Sequence, residues 1–263
     1  MPEFLITLTT DFGLESPYLA AMKGALLSVN HSVRLIDLTH QIPAHDIRFA
    51  AFFLAASVPY YPAGTLHVVV VDPGVGTDRA ILYVEVAGQR LLTPDNGCLT
   101  RIFETMGPPT TLIRVQEPHF WREVICDTFN GRDIFAPVAG HLSLGVKPSK
   151  LGPIVKEWVT LEIPKPVTTS HGVQGEVLFV DHFGNLITNI PASLAQRRPN
   201  ALTVGNRLLH RFAWVRTYGE AKIGQLALLV SSVGNLEVAI VQGDAAKRLG
   251  AGVGTPIDVG FAD

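Results

Sequence analysis

The chain has 263 residues, 47% of them apolar, and a formal net charge of -2 near pH 7. This length supports one large or two moderate domains, and the composition is that of a globular rather than a disordered chain. Near-neutral charge excludes the basic footprint of a nucleic-acid binder, and two cysteines without a CxxC pair, Cys98 and Cys126, make neither a zinc site nor a disulfide framework.

The opening MPEFLITLTTDFG lacks a basic n-region and carries Glu3, so it reads as a strand over 4–10 rather than a signal peptide. Residues 16–29, SPYLAAMKGALLSV, have helical apolar spacing, with Ser16 expected as N-cap and Pro17 at the first helical position. Residues 33–39 predict a second strand, and 46–61 a buried helix stopped by Pro59. Within it, the apolar run 49–58 has about half the length that spans a bilayer. A cytoplasmic protein is expected, and both cysteines are expected as buried free thiols.

TLHVVVVDPGVG (65–76) is an apolar strand running into a Pro/Gly turn, and residues 80–97 read as a hairpin turning at Gly88–Gln89. Strand and helix alternate as in a doubly wound, mostly parallel sheet, where ligands bind beyond the carboxyl ends of the strands. Those ends carry Asp11 and Asp72, with Asp37 at a third. Residues 134–145 predict another helix, broken by Gly145. PKPVTTSHG (164–172) reads as a linker, and short β-like runs follow at 175–181, 201–205, 226–232, 235–240 and 256–260. The expected architecture is an α/β domain over 1–167 and a smaller all-β, barrel-like domain over 168–263.

Four groups carry candidate chemistry. Asp11, in TTDFG, could accept from a ribose diol, or simply cap a turn. Asp72 and Arg79, in VDPGVGTDR, could pair across a Gly-rich turn that is neither a P-loop nor GxGxxG. TFNGRD brings Asn130, which offers one acceptor and two donors without charge, and Arg132–Asp133, which reads as a structural pair. DHFGNLITN places Asp181, Asn185 and Asn189 around Phe183. The nine His residues show no HExxH or other tight ligand spacing, and no GxSxG occurs, so neither a metal site nor a nucleophile elbow is expected.

TTDFG, DLTHQIPAHDI (37–47), VDPGVGTDR, TPDNG (93–97), TFNGRDIFAP, DHFGNLITNI and SSVGNLEVAI (231–240) follow one another across nearly the whole chain. In this combination the sequence resembles the S-adenosyl-L-methionine (SAM) hydroxide adenosyltransferase family, or SAM hydrolases, relatives of the SAM-dependent fluorinase and chlorinase. The resemblance implies hydrolysis of SAM to adenosine and methionine without metal or cofactor. It also implies a homotrimer, with each site between the N-terminal domain of one subunit and the C-terminal domain of its neighbour. By resemblance, Asp11 holds the ribose hydroxyls, and Asp72 and Arg79 match two members of an Asp-Arg-His set. Asp181 meets the methionine ammonium and Ser232 its carboxylate. Asn185 and Phe183 line the adenine and methionine side, Tyr218 stacks on adenine, and Phe129 walls the reacting carbon. The sequence departs from the family at Asn130, where TFHGRD has His. An amide cannot titrate, whereas general-base help contributes about 10²–10⁴-fold. Restoring His is therefore expected to raise hydrolysis. Two other readings stay open: a SAM- or adenosine-binding sensor with little turnover, and a SAM-dependent halogenase, against which the charge of Asp72 argues.

Overall fold

The computed structural model describes residues 4–195 and 197–261. By internal contacts the chain divides into two compact units, Met1–Leu161 and Glu162–Asp263. This division falls a few residues before the expected 167/168 boundary. The segment ahead of that boundary is tied to the second unit, where the Asn189 side-chain amide donates to the Pro164 carbonyl at 2.9 Å.

The first unit comprises β1 (Leu5–Thr10), α1 (Tyr18–Val29), β2 (Arg34–Thr39), α2 (Ile47–Ser57), β3 (Leu66–Val70), β4 (Ile81–Val86), β5 (Gln89–Pro94), α3 (Thr100–Met106), β6 (Thr111–Arg114) and α4 (Ala136–Ser143). Its sheet runs β2-β1-β3-β5-β4-β6. The β2-β1-β3-β5 part is parallel, and β4 turns antiparallel against both β5 and β6. β3 is buried along its whole length, as expected of a central strand covered on both faces. One core layer joins Ile6, Leu8, Val68 and Val70 to Met22 and Leu26 of α1 and to Val138 and Ala139 of α4. The other joins Leu54, Val69, Leu82, Leu91 and Ile102 on the opposite face.

Several local expectations need correction. Pro17 occupies the N-cap of α1, and Ser16 instead donates to the Phe12 carbonyl at 3.0 Å. The hairpin turns at Ala87–Gly88, both at positive φ (46° and 80°), one residue earlier than predicted. The mirror-image turn that two-residue hairpins need requires positive φ at both positions, and here Ala accepts the strain. Cys98 is buried beside Thr93, and burial pushes its thiol up to about 12. Cys126 is a free thiol too, but exposed, in a segment outside the helices and strands rather than in the core.

The second unit holds β7 (Val167–Thr168), β8 (Gly172–Val180), β9 (Leu186–Pro191), β10 (Pro199–Val204), β11 (Arg207–Leu209), β12 (Ala213–Trp214), β13 (Leu226–Val230), β14 (Asn235–Ile240), α5 (Ala245–Leu249) and β15 (Pro256–Phe261). The order is β11-β10-β15-β8-β9-β14-β13-β12, with β7 beside β8. β8 links two halves of this sheet: Gly172–Glu176 pairs with β15, and Val177–Val180 with β9 across an irregularity. The break curls the strands into a half-barrel. Val177, Leu186, Leu202, Leu236, Val238 and Ile257 fill its core. No helix among the described residues is long and apolar enough to cross a membrane.

Candidate active site

In the first unit, β1 and β3 are neighbours, with Thr10 opposite Val70, so Asp11 and Asp72 emerge close together at the carboxyl edge. Asp11 Oδ2 accepts the backbone N–H of His45 at 2.9 Å. His45 sits at φ 65°, an uncommon conformation for a side-chain-bearing residue, and Asp11 supports that turn.

Asp72 and Arg79 pair as expected across the Gly-rich turn. The Arg79 Nε–H reaches both carboxyl oxygens at 2.9 Å, and Nη2 reaches Oδ2 at 2.5 Å. Their side chains are only 4% and 12% exposed, which strengthens the fork relative to a surface pair. The guanidinium also lies over the Phe135 ring, 6.0 Å from its centroid. Gly76, at φ 79°, permits the turn to press against the next loop: a Cβ there would meet the Asp127 carbonyl at 2.8 Å.

That next loop delivers Asn130. Arg79 Nη2 donates to Asn130 Oδ1 at 2.6 Å. Arginine has only donors, so the amide atom facing it must be the oxygen, and the orientation of Asn130 is settled by chemistry. Its Nδ2, with two N–H groups, is turned away from Arg79 and has no hydrogen-bond partner among the described residues. Asn130 is 7% exposed and immediately precedes a π-helical turn, Gly131–Phe135, leading into α4. Such turns occur often where function requires a displaced side chain. Gly131 lets Phe12 approach, to 3.2 Å from where a Cβ would stand. Phe129 packs edge-on against Phe12 and Tyr18, at centroid distances of 5.9 and 5.2 Å. Asp11, Phe129, Asn130, Asp72 and Arg79 therefore belong to one loop cluster.

Arg132 and Asp133 form the structural pair expected of them. Asp133 is fully buried and accepts from Arg132 Nε at 2.7 Å, from Arg132 Nη2 at 2.8 Å and from the Cys126 N–H at 2.9 Å. Burial opposes its ionisation, yet these donors hold its carboxyl below the usual range.

In the second unit, an open groove of about 1190 Å³ is lined by Asp181, Phe183, Asn185, Tyr218 and Ser232, all five singled out from sequence. Asp181 folds the turn between β8 and β9. Its Oδ1 accepts the N–H of Phe183 at 2.9 Å and of Asn185 at 2.8 Å, and its Oδ2 accepts Asn185 Nδ2 at 2.9 Å. These bonds give Asp181 and Asn185 a turn-forming role, with both residues at the groove wall. Gly184, at φ 83°, leaves room for Asp244, the N-cap of α5. Phe183 is 74% exposed, a large apolar face turned to solvent. Asn189, grouped with these residues by sequence, instead accepts the Glu176 N–H at 2.8 Å, where β8 passes from β15 to β9. Sequence reasoning missed Glu237 and Ser231, which also line the groove. Glu237 is 3% exposed and accepts the Tyr218 hydroxyl at 2.5 Å, and the Ser231 Oγ is buried without a hydrogen-bond partner among the described residues. The signal for Glu237 was an acid in the middle of an otherwise apolar strand.

Among the described residues, no three His, Cys, Asp or Glu side chains cluster as metal ligands.

Residues 6–152 match the family model of the SAM hydroxide adenosyltransferase N-terminal domain, and 175–258 that of the C-terminal domain. The chain belongs to this family. An (R)-S-adenosyl-L-methionine hydrolase of Salinispora tropica is 37% identical, over 97% of both chains. One from Thermus thermophilus is 36% identical over 94% of this chain and 96% of its own. A fluorinase of an Actinoplanes species is more distant, at 26% identity over 89% and 90%. Among solved structures, an uncharacterized conserved protein of Thermotoga maritima matches with a TM-score of 0.91 at 33% identity, covering 97% of this chain and 99% of its own.

Proposed function

We propose that this member of the SAM hydroxide adenosyltransferase family hydrolyses SAM to adenosine and L-methionine. Water or hydroxide attacks the ribose C5′, a C–O bond forms, and the C5′–S bond breaks with its electron pair going to sulfur. The sulfonium becomes a neutral thioether, and the one proton released goes to solvent. The task for the protein is alignment and partial desolvation of the nucleophile. SAM is the substrate, and the reaction as written uses no cofactor.

The observation that carries this reading is the Asp72–Arg79–Asn130 array. A guanidinium locked by a carboxylate favours an anionic nucleophile beside it, and the Asn130 Nδ2 donors hold its oxygen. With Oδ1 committed to Arg79, Asn130 positions the nucleophile and takes no proton. In this reading Asp11 binds the ribose hydroxyls and Phe129 bounds the reacting carbon. Asp181 receives the methionine ammonium and Ser232 its carboxylate. Phe183 and Asn185 line the adenine and methionine side, and Tyr218 stacks on adenine. The two residue sets act on one SAM molecule in a cytoplasmic homotrimer, each site shared between subunits.

Incubating the purified protein with SAM, with and without chloride, and separating the products with mass detection tests the reading. Adenosine plus methionine in both samples is expected. A 5′-chlorinated nucleoside would move the chain to the halogenases. Bound SAM without product would make it a binding protein.

A further inference from the structure

Glu237 is the unusual residue of the second-unit groove. β14 lies between β9 and β13, with Glu237 opposite Ile187 on one side and Leu229 on the other. Its neighbours Leu236 and Val238 point into the half-barrel core. Ala239 and Val241 share the face of Glu237 and belong to a small apolar cluster with Ala227 and Leu229. An acid at such a position loses most of its hydration, and it persists only where a partner repays that loss. The Tyr218 hydroxyl is its one hydrogen-bond partner among the described residues, at 2.5 Å. Among the described residues lining the groove, the one Lys or Arg is Arg216, which is 94% exposed and bridged to Glu220. Burial, set against this hydrogen bond and reinforced by nearby Asp181, raises the Glu237 pKa.

Tyr218 gains as much from the contact. It sits in a single helical turn, Tyr218–Glu220, after the two-residue strand β12, and its ring is 41% exposed. A half-exposed ring on so short a support has several rotamers open to it, and a hydrogen bond at its far end selects one. Tyr218 and the exposed Phe183 both line the groove, and aromatic rings there suit a flat heteroaromatic base.

We propose that Glu237 is a positioning residue: its carboxyl holds the Tyr218 ring as a fixed wall of the groove and thereby sets the affinity for the adenine of the ligand. The inference rests on the SAM reading above. Its chemistry requires an acceptor at position 237 and a donor at the tip of residue 218, and does not require the charge.

The test compares Glu237→Met, Glu237→Gln, Tyr218→Phe and the double variant Glu237→Met/Tyr218→Phe. Adenosine Kd is read by calorimetry, KM and kcat for SAM by product chromatography, and folding by thermal melting. A net hydrogen bond contributes about 0.5–1.5 kcal/mol. Glu237→Met and Tyr218→Phe should therefore each raise adenosine Kd and SAM KM by about three- to tenfold, with kcat within twofold. The double variant should be no worse than either single one, and Glu237→Gln, which keeps an acceptor, should stay near the parent. Tyr218→Phe removes one hydroxyl from a half-exposed residue, leaves Glu237 free to take up a proton in place of its lost partner, and keeps the test available if Glu237→Met fails to fold. Additive losses in the double variant, or a parent-like Kd in Tyr218→Phe, would overturn the inference and leave SAM hydrolysis standing. A parent that binds neither SAM nor adenosine would overturn both, since the ring would then have no base to hold.

Discussion

Replacing Asn130 by Leu removes the groups that the proposed mechanism asks of that position. The side chain is 7% exposed and of similar size to leucine, so the loop should keep its place. Arg79 loses its contact to Oδ1 at 2.6 Å but remains forked onto Asp72, so its charge stays where it is. What disappears is the Nδ2 donor to the nucleophile. Removing one preorganised donor to an anionic oxygen typically lowers kcat by about 10²–10³-fold. Because Arg79 still stabilises the same anion, the lower end, about 10²-fold, is expected here, with KM little changed. Asn130→His is the matching variant. Sequence alone leads to the expectation that His raises hydrolysis as a general base. The geometry limits the gain: the ring nitrogen facing Arg79 must offer its lone pair, so the other carries the proton and acts as a donor, as Asn130 does. The adjacent guanidinium also opposes imidazolium formation. Turnover of Asn130→His should thus rise, but by no more than about tenfold, well short of full general-base help. Steady-state adenosine formation over a range of SAM concentrations, with denaturant midpoints as the folding control, measures both. An unchanged kcat in Asn130→Leu would remove the residue from the reaction. A gain of a hundredfold or more in Asn130→His would refute the donor-only role.

Asp11→Ala should weaken SAM and adenosine binding by tenfold or more and cost about 1 kcal/mol of stability, through the lost bond to the His45 N–H; unfolding of the variant would instead make Asp11 a purely structural turn residue. Arg79→Lys keeps the charge but not the fork onto Asp72; kcat should fall at least tenfold with the melting temperature lowered, and parent-like kinetics would count against the array. His67 is fully buried between Thr7 and Gln89, and burial lowers its pKa from 6.5 to about 4. The unfolded chain then binds the extra proton first, so stability is complete above about pH 6.5 and declines by about 3 kcal/mol as pH falls towards 4. Denaturation across that window should show the decline, and His67→Gln should flatten it; equal slopes in the two proteins would contradict the assignment.

The sheet of the first unit was legible because its strands are apolar runs ended by Asp and Gly: FLITLTT stops at Asp11 and HVVVV at Asp72, and the positions of these two acids at the carboxyl edge follow from that. α3 was missed because TRIFETM is too short to show a helical stripe, and β9 because LITNI lay within a motif read for its polar groups. The hairpin turn was misplaced by one residue since Ala87 gives no sign of a positive φ. Ser16 is a good capping residue by type, but the preceding turn sends its hydroxyl back to Phe12. Glu237 escaped notice because strand alternation assigns a lone acid to solvent, and only the loop that brings Tyr218 over β14 shows that this face is covered. Contacts between residues far apart in sequence, such as Arg79 with Asn130, had no local signal at all.

The central claim is that a water-derived oxygen displaces methionine at C5′. The most direct measurement is to run the reaction in ¹⁸O-water and read the label by mass spectrometry. The account predicts adenosine carrying one ¹⁸O at the 5′ position and unlabelled methionine. Unlabelled adenosine, label in the methionine, or no cleavage of SAM would contradict it.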